Sequence, residues 1–352
     1  MHPTDGFQPP AWLAGGHRQT FLGYWLRRLL RWTPPSEDLV VEAGHGVRLL
    51  LRASWQEKPR EDRPTLLIVH GLGGSDASAY VVSTGRLAYA RGWNVVRMNM
   101  RGSGDGLALC PLLYNAGLDT DLLAAISAVS TVVPRLAVVG FSLGASLVLL
   151  TLGRRRERLP AALAGAAAVS PPLDLSACAD ALAAPGNVLY QRYFMQMLAE
   201  GYRQRNRIRP DLFTAGRERG LRTVREYDDR ITAPFGGYES AVHYYEQSSA
   251  GPWLASIDRP TLVLAAADDP MIPVASVARW PASPAVRREV LATGGHVGFV
   301  SRSRAPGWFW APERVMDFLE NTPSPAAPTP ADPTGPGRPA SLRMTGRPPG
   351  VA

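Results

Sequence analysis

Along the chain, short and nearly apolar runs alternate with amphipathic stretches. Thr65–Val69 reads TLLIV, and Trp93–Met98, Leu136–Val139, Gly165–Val169 and Thr261–Ala266 are similar in length and character. Runs of this length, often β-branched, suit strands buried on both faces of a parallel sheet. Val286–Leu291 is a sixth strand. Leu39–Glu42 and Arg48–Trp55 flank Gly44–Gly46 and read as an opening β-hairpin. Between the runs lie helical stretches at Asp76–Arg91, Asp119–Val133, Leu143–Leu152 and Pro312–Leu319. In the second of these, Leu122, Ile126, Val129 and Val133 form one apolar stripe, and Asp119 is placed to cap its start. This βαβα order predicts an α/β fold, a mostly parallel sheet covered by helices on both faces.

Three segments depart from the alternation. Residues 174–258 hold no clean strand and are rich in Tyr, Arg and Phe, as in Tyr190-Gln191-Arg192-Tyr193-Phe194 and His243-Tyr244-Tyr245. A helical insertion between two core strands reads as a lid. Near the start, in a 1–35 N-terminal segment, Phe21–Trp32 (FLGYWLRRLLRW) predicts an amphipathic helix. At 100° per residue Arg27, Arg28 and Arg31 share one face with Tyr24, while Leu22, Trp25, Leu26 and Leu29 share the other. Two readings stay open: a surface helix packing its leucines on the core, which is favoured, or an interfacial helix making peripheral contact with anionic lipid. The end, 321–352, is proline-rich and nearly devoid of large apolar residues, so it is expected to be disordered. The α/β body between them is 36–320.

Composition narrows the function. The 45% hydrophobic fraction excludes a mostly disordered chain. The net charge of +8 invites a nucleic-acid partner, but the arginines are scattered, with no basic run or RNA-binding motif, so none is expected. Lys58 is the only lysine, and that bias reads as base composition more than as function. Cys110 and Cys178 lie far apart without a Cys/His cluster, so neither a disulfide framework nor a metal site is expected, and a reducing compartment is the default. The first ten residues lack an apolar signal region, and no run of about 18 apolar residues exists. A cytoplasmic protein is the expectation, with peripheral membrane contact through Phe21–Trp32 as the open alternative.

The strongest chemical signal is Gly140-Phe141-Ser142-Leu143-Gly144, a G-x-S-x-G with a strand before it and an apolar helix after it. A serine on such a turn exposes Oγ above the carboxyl ends of the sheet. Its hydroxyl needs a base, and the base an orienting carboxylate. Of the six histidines only His243 and His296 follow Ser142. His243 falls in the helical insertion and reads as packing. His296, in Gly294-Gly295-His296-Val297-Gly298-Phe299 after the sixth strand, can reach over the sheet. Asp268 and Asp269, just after Thr261–Ala266, are both candidates for the acid. A tetrahedral oxyanion needs backbone donors: Leu143 N–H is one, and the loop His70-Gly71-Leu72-Gly73-Gly74-Ser75 is the source of the other. That loop has neither a Gly-Lys-Ser/Thr ending nor G-x-G-x-x-G, so it is no nucleotide loop.

Taken together, these residues resemble the α/β-hydrolase superfamily, and within it the YheT-like branch, the type 4 AB-hydrolase family of esterases. The matching stretches are Gly16-His17-Arg18-Gln19-Thr20, His70–Ser75, Asn99-Met100-Arg101-Gly102, Gly140–Gly144, Asp268-Asp269-Pro270 and Gly294–Phe299, over roughly residues 7–320. The resemblance implies an α/β-hydrolase fold and a Ser142, Asp269, His296 triad. Asp269 is favoured by the D-x-x-x-P spacing to Pro273, which leaves Asp268 as a turn residue. It implies Leu72, after His-Gly, as the second oxyanion donor. Ala145-Ser146 departs from the Gly-Asn usual there, a matter of helix packing. Arg101 is expected to pair with a buried carboxylate and Asp121 is noted beside it; neither is given a catalytic role.

The function expected is hydrolysis of a carboxylic ester with an apolar acyl group, short to medium or lipid-like, through an acyl-enzyme and without cofactor or metal. A thioesterase or acyltransferase would use the same residues. A non-catalytic lipid-binding scaffold would show a broken triad. Epoxide and haloalkane chemistry needs an aspartate nucleophile and is excluded by Ser142.

Overall fold

The computed structural model describes residues 7–57, 62–301 and 308–323, together with the backbone of 342–345. Helix α1 (Gly16–Arg28) precedes the antiparallel pair β1 (Glu37–Glu42) and β2 (Arg48–Ser54). The α/β alternation then runs β3 (Thr65–Val69), α2 (Ala79–Ala90), β4 (Asn94–Met98), α3 (Asp119–Ser130), β5 (Leu136–Phe141), α4 (Leu143–Arg154) and β6 (Leu163–Val169). After it come the helices α5 (Leu175–Ala183), α6 (Val188–Ile208), α7 (Val224–Tyr227), α8 (Ala233–Gly236) and α9 (Ala241–Ser248). Strand β7 (Thr261–Ala266), α10 (Val274–Ala278), β8 (Val286–Leu291) and α11 (Trp310–Glu320) complete the body, and β9 (Leu342–Thr345) follows.

The strands form one sheet in the order β8-β7-β6-β5-β3-β4-β2-β1-β9. From β4 to β8 all pairings are parallel, and β1, β2 and β9 are antiparallel additions. Alternate strand residues face opposite sides. Leu67, Val69 and Val138 join the core under α3 and α4, whereas Leu66, Ile68 and Val139 join the core under α2 and α11. Both faces are therefore sealed, which is why β3, β5, β6 and β7 are buried at every position. All four strands end on the same edge, and the loops leaving that edge hold the candidate chemistry.

The predicted strands and helices of the body appear where the pattern placed them, with ends shifted by a few residues. Residues 174–258 are helical, with α5 to α9, as expected. Arg101 does find a buried carboxylate: its Nε and Nη2 donate to Asp121 at 2.7 and 2.5 Å, tying the loop after β4 to α3. Asp119 does not cap α3. The N-cap is Leu118 without a side-chain bond, and the Asp119 carboxylate instead takes two bonds at 3.1 Å from Arg155 on α4. A charged partner across the helix pair outcompetes a local backbone N–H.

Two expectations at the ends are corrected. The amphipathic helix is not Phe21–Trp32; it spans Gly16–Arg28, and its buried face is Gly16, Gln19, Gly23 and Arg27. Trp25 and Leu29, placed by sequence on the packed side, are 58% and 77% exposed, while Arg27 is only 2% exposed. Leu22 and Leu26 do pack, half-buried against Leu13, Val300 and Phe309; periodicity missed the more deeply buried side because there α1 packs against backbone, which wants small residues and hydrogen-bond donors. In the C-terminal stretch, Leu342–Thr345 is a strand paired with Asp38–Val41. Without it β1 would present an open edge of unpaired backbone groups. The rest of the stretch expected to be disordered, 324–341 and 346–352, lies outside the described residues. No helix among the described residues is long and apolar enough to cross a membrane.

Candidate active site

Strand β5 is wholly apolar and runs straight into α4, so the chain must reverse within a single residue. Ser142 makes the turn at φ 53°, ψ −122°, a left-handed conformation that is uncommon for a residue with a Cβ. Its N–H donates to Val169 O at 2.9 Å, and its carbonyl accepts from Ala145 and Ser146. The turn is closed so tightly that a Cβ on Gly140 would stand 2.3 Å from Gly144 O, and one on Gly144 2.3 Å from His70 O. These contacts require glycine at both ends of G-x-S-x-G. The departure at Ala145-Ser146 is absorbed by packing: both are fully buried, and Ser146 Oγ donates to Pro172 O at 2.8 Å.

Above the turn the structure brings together three residues from three loops. His296 Nε2 lies 2.8 Å from Ser142 Oγ, and His296 Nδ1 lies 2.9 Å from Asp269 Oδ2. An ionised carboxylate only accepts, so the proton belongs on Nδ1 and the Nε2 lone pair faces the serine hydroxyl. Asp269 Oδ1 accepts from the N–H groups of Met271 and Ile272 at 2.9 and 3.0 Å, which locks the carboxylate in place. Its side chain is 2% exposed and that of His296 10%. A hydroxyl in this arrangement can give its proton to imidazole as it attacks, with the resulting imidazolium held by a buried carboxylate.

Asp268, the rival acid, is directed elsewhere. Its Oδ1 accepts from Gly295 N at 2.9 Å and its Oδ2 from Thr293 Oγ1 at 2.6 Å. Adjacent aspartates thus divide the work, one meeting the imidazole and one holding the loop that carries it. His243 makes no contact with this group; its Nδ1 accepts from Glu239 N at 3.2 Å within the helical segment.

The histidine loop is strained and externally held. Val297 and Phe299 both have positive φ, 58° and 46°. Helix α1 supplies the restraint, through residues the sequence marked only as a motif. Thr20 Oγ1 accepts from His296 N at 2.8 Å, and Gln19 Oε1 accepts from Val300 N at 2.8 Å. Arg27 donates from Nη1 to Val297 O and from Nη2 to Gly298 O, the latter at 3.0 Å. Burial pulls the Arg27 guanidinium down to about 9, still charged at neutral pH, and the Phe309 ring lies 4.2 Å from its Cζ. Gly16 and Gly23 allow the close approach: a Cβ on either would meet Asp268 O at 1.7 Å or Gly298 Cα at 2.9 Å. On the other side Val297 N donates to Ser170 Oγ at 3.1 Å. No local pattern marks Ser170 or Arg27 for this duty, because both act across long sequence separations.

The loop after β3 is pinned by two tyrosines that sequence reasoning did not single out. Gly71 N donates to Tyr80 Oη at 2.8 Å, and Gly73 N to Tyr114 Oη at 2.5 Å. Fully buried His70 accepts from Met100 N at Nε2 (3.1 Å) and carries its proton on Nδ1 toward Gly71 O (2.8 Å). Burial pushes its imidazole down to about 4. In the unfolded chain it would titrate near ~6.5, so below that pH the unfolded state takes up a proton that the folded state refuses. Stability is therefore fully present above about pH 6.5 and falls as pH drops toward 4, by about 1.4 kcal/mol per unit, on the order of 3 kcal/mol in all. Urea unfolding between pH 4.5 and 7.5 checks this: His70→Asn should flatten the slope, and an unchanged slope would assign the acid sensitivity to other groups.

Leu72 and Leu143 line one cavity with Ser142 and His296, and its accessible volume is about 350 Å³. Much of its wall is apolar, including Leu113, Leu175, Leu182, Leu198 and Met271. Part of the wall is polar: Asp228 stands among Tyr227, Tyr244 and Tyr245, and Tyr245 Oη donates to it at 2.8 Å. Burial pushes the Asp228 carboxyl up to about 6. Among the described residues no cluster of three or more His, Cys, Asp or Glu could hold a metal ion.

The family model for the alpha/beta hydrolase fold matches residues 64–303, a stretch that includes the serine turn, both aspartates and the histidine loop. The chain belongs to the α/β-hydrolase family. Within it, the chain is 31% identical over 322 residues to "Putative esterase YheT" of Escherichia coli, covering 89% of this chain and 92% of that one. That likeness puts it in the YheT-like branch. It is 27% identical to the mouse protein named Phospholipase ABHD3, over 84% of this chain and 74% of the relative. Among solved structures, the Pyrococcus furiosus esterase Pf2001 superposes with a TM-score of 0.53 at 18% identity, covering 83% of this α/β hydrolase and 97% of that chain. At that identity the likeness concerns the fold.

Proposed function

We propose that the protein is a serine hydrolase that cleaves carboxylic esters with an apolar acyl group. The observation that carries this reading is the continuous hydrogen-bonded chain Ser142, His296, Asp269, opening into a largely apolar cavity. Ser142 Oγ attacks the ester carbonyl as His296 Nε2 takes its proton. Asp269 holds the Nδ1–H tautomer and steadies the imidazolium. The N–H groups of Leu72 and Leu143 bind the oxyanion; the second sits at the N-terminus of α4, where the helix dipole favours negative charge. His296 returns the proton to the leaving alkoxide, and water then releases the acid by the reverse steps. The names of the relatives, an esterase and a phospholipase, fit the same bond class.

Incubation with a fluorophosphonate probe and with p-nitrophenyl butyrate to decanoate tests the reading. The expected results are a label on the peptide carrying Ser142 and release of free acid with water as sole acceptor. Absence of both label and hydrolysis would overturn it.

A further inference from the structure

The corrected orientation of α1 leaves an unusual surface. With Gly16, Gln19, Gly23 and Arg27 turned inward, the helix exposes Phe21, Tyr24, Trp25 and Leu29. Trp12, 59% exposed, precedes them in the chain. Helix α6 continues the patch: Tyr190 stacks on Phe21 and on His17, with centroids 5.1 and 5.7 Å apart, and Tyr193 stands beside Tyr24 and Arg28. Leu189 and Tyr193 on that side are 65% and 53% exposed. The other side of α6 lines the catalytic cavity with Phe194, Met197 and Leu198.

The charge of the same face is one-sided. Arg18, Arg28, Arg31 and Arg192 are exposed there. Residues 7–36 contain no Asp or Glu, nor do 181–199. Elsewhere several arginines meet carboxylates, as Arg91 meets Glu313, Asp317 and Glu320.

We propose that this face is a docking surface for a bilayer containing anionic phospholipid, with α1 and the first half of α6 lying at headgroup level. Trp and Tyr prefer that depth, where an apolar ring meets water. Exposed Leu and Trp reach the acyl boundary, and arginines at the rim extend their stems along apolar surface while their heads meet phosphates. A second copy of the chain is a poor occupant. A two-fold contact would set the same arginines against themselves with no carboxylate between them. The stretches outside the described residues contain no Phe, Trp, Tyr, Leu or Ile with which to cover the patch. The surface stands independently of the ester-hydrolase reading.

Flotation of the full chain with phosphatidylcholine vesicles, with and without phosphatidylglycerol, tests this proposal. Binding is expected to the anionic vesicles and to weaken with added salt. Arg28→Glu with Arg31→Glu should reduce partitioning by roughly tenfold or more. Trp25→Ser, Leu29→Ser and Leu189→Ser together should reduce it by roughly a hundredfold. Both variants should keep the wild-type thermal unfolding temperature, because these side chains are exposed. Wild type staying unbound to all vesicles, or both folded variants binding as wild type does, would overturn the proposal. So would a wild-type dimer in solution that the triple serine variant converts to monomer.

Discussion

Ser142→Ala is expected to lower kcat/KM on p-nitrophenyl butyrate by about 10⁴-fold or more and to abolish fluorophosphonate labelling. The substitution removes the attacking atom and nothing else that the turn depends on. Ser142 is held by its backbone, through Val169 O, Ala145 N and Ser146 N, and these bonds survive in alanine. The positive φ is equally awkward for both residues, so the native backbone should not relax. Thermal unfolding should then be near wild type while turnover collapses. The residue left behind still offers the cavity and the backbone donors of Leu72 and Leu143, so a small residual rate above water is compatible with the mechanism. Undiminished turnover in a correctly folded variant would sink it.

Asp269→Asn should cost about 10³- to 10⁴-fold in kcat with little change in KM, and Asp268→Asn only about tenfold. The two carboxylates are neighbours in sequence but not in duty. An amide at 269 can turn its NH2 toward Nδ1, which moves the proton to Nε2 and leaves Ser142 without an acceptor. At 268 an amide oxygen can still accept from Gly295 N, so the loop loses one bond of two, that from Thr293. Steady-state kinetics of the two variants side by side decide the matter. A larger loss in Asp268→Asn would reverse the assignment and make loop placement the dominant effect.

Much of the fold was legible because local chemistry and tertiary role agree in a parallel sheet. A strand sealed on both faces has to be apolar throughout, and TLLIV or TLVLAA announces that without help. The serine turn was legible for a related reason: its glycines answer to contacts only a few residues away. His296 could be chosen because few histidines follow Ser142. Choosing Asp269 over Asp268 required a family spacing, and the structure then set Asp269 against the imidazole and Asp268 against the loop.

Helix α1 marks the limit of such reasoning. Its arginine-and-leucine pattern suggested a leucine face turned inward, yet Arg27 is buried and Leu29 is bare. Only Leu22 and Leu26 find an apolar surface, half-buried against Leu13, Val300 and Phe309. The more deeply buried side packs on the backbone of the histidine loop, whose carbonyls need donors and whose closeness needs glycine. A periodicity rule counts apolar side chains and is blind to backbone partners more than 250 residues away.

The sequence by itself therefore determined the alternation of strands and helices, the serine turn and the histidine that meets it, because each depends on short-range sterics, on burial at every position or on there being few candidates. Only the tertiary structure decided which aspartate meets the imidazole, which tyrosines pin the loop after β3, and which face of α1 is left to the solvent. Those outcomes depend on contacts between distant segments, where hydrogen-bond satisfaction of buried backbone outweighs the hydrophobic pattern of any one helix.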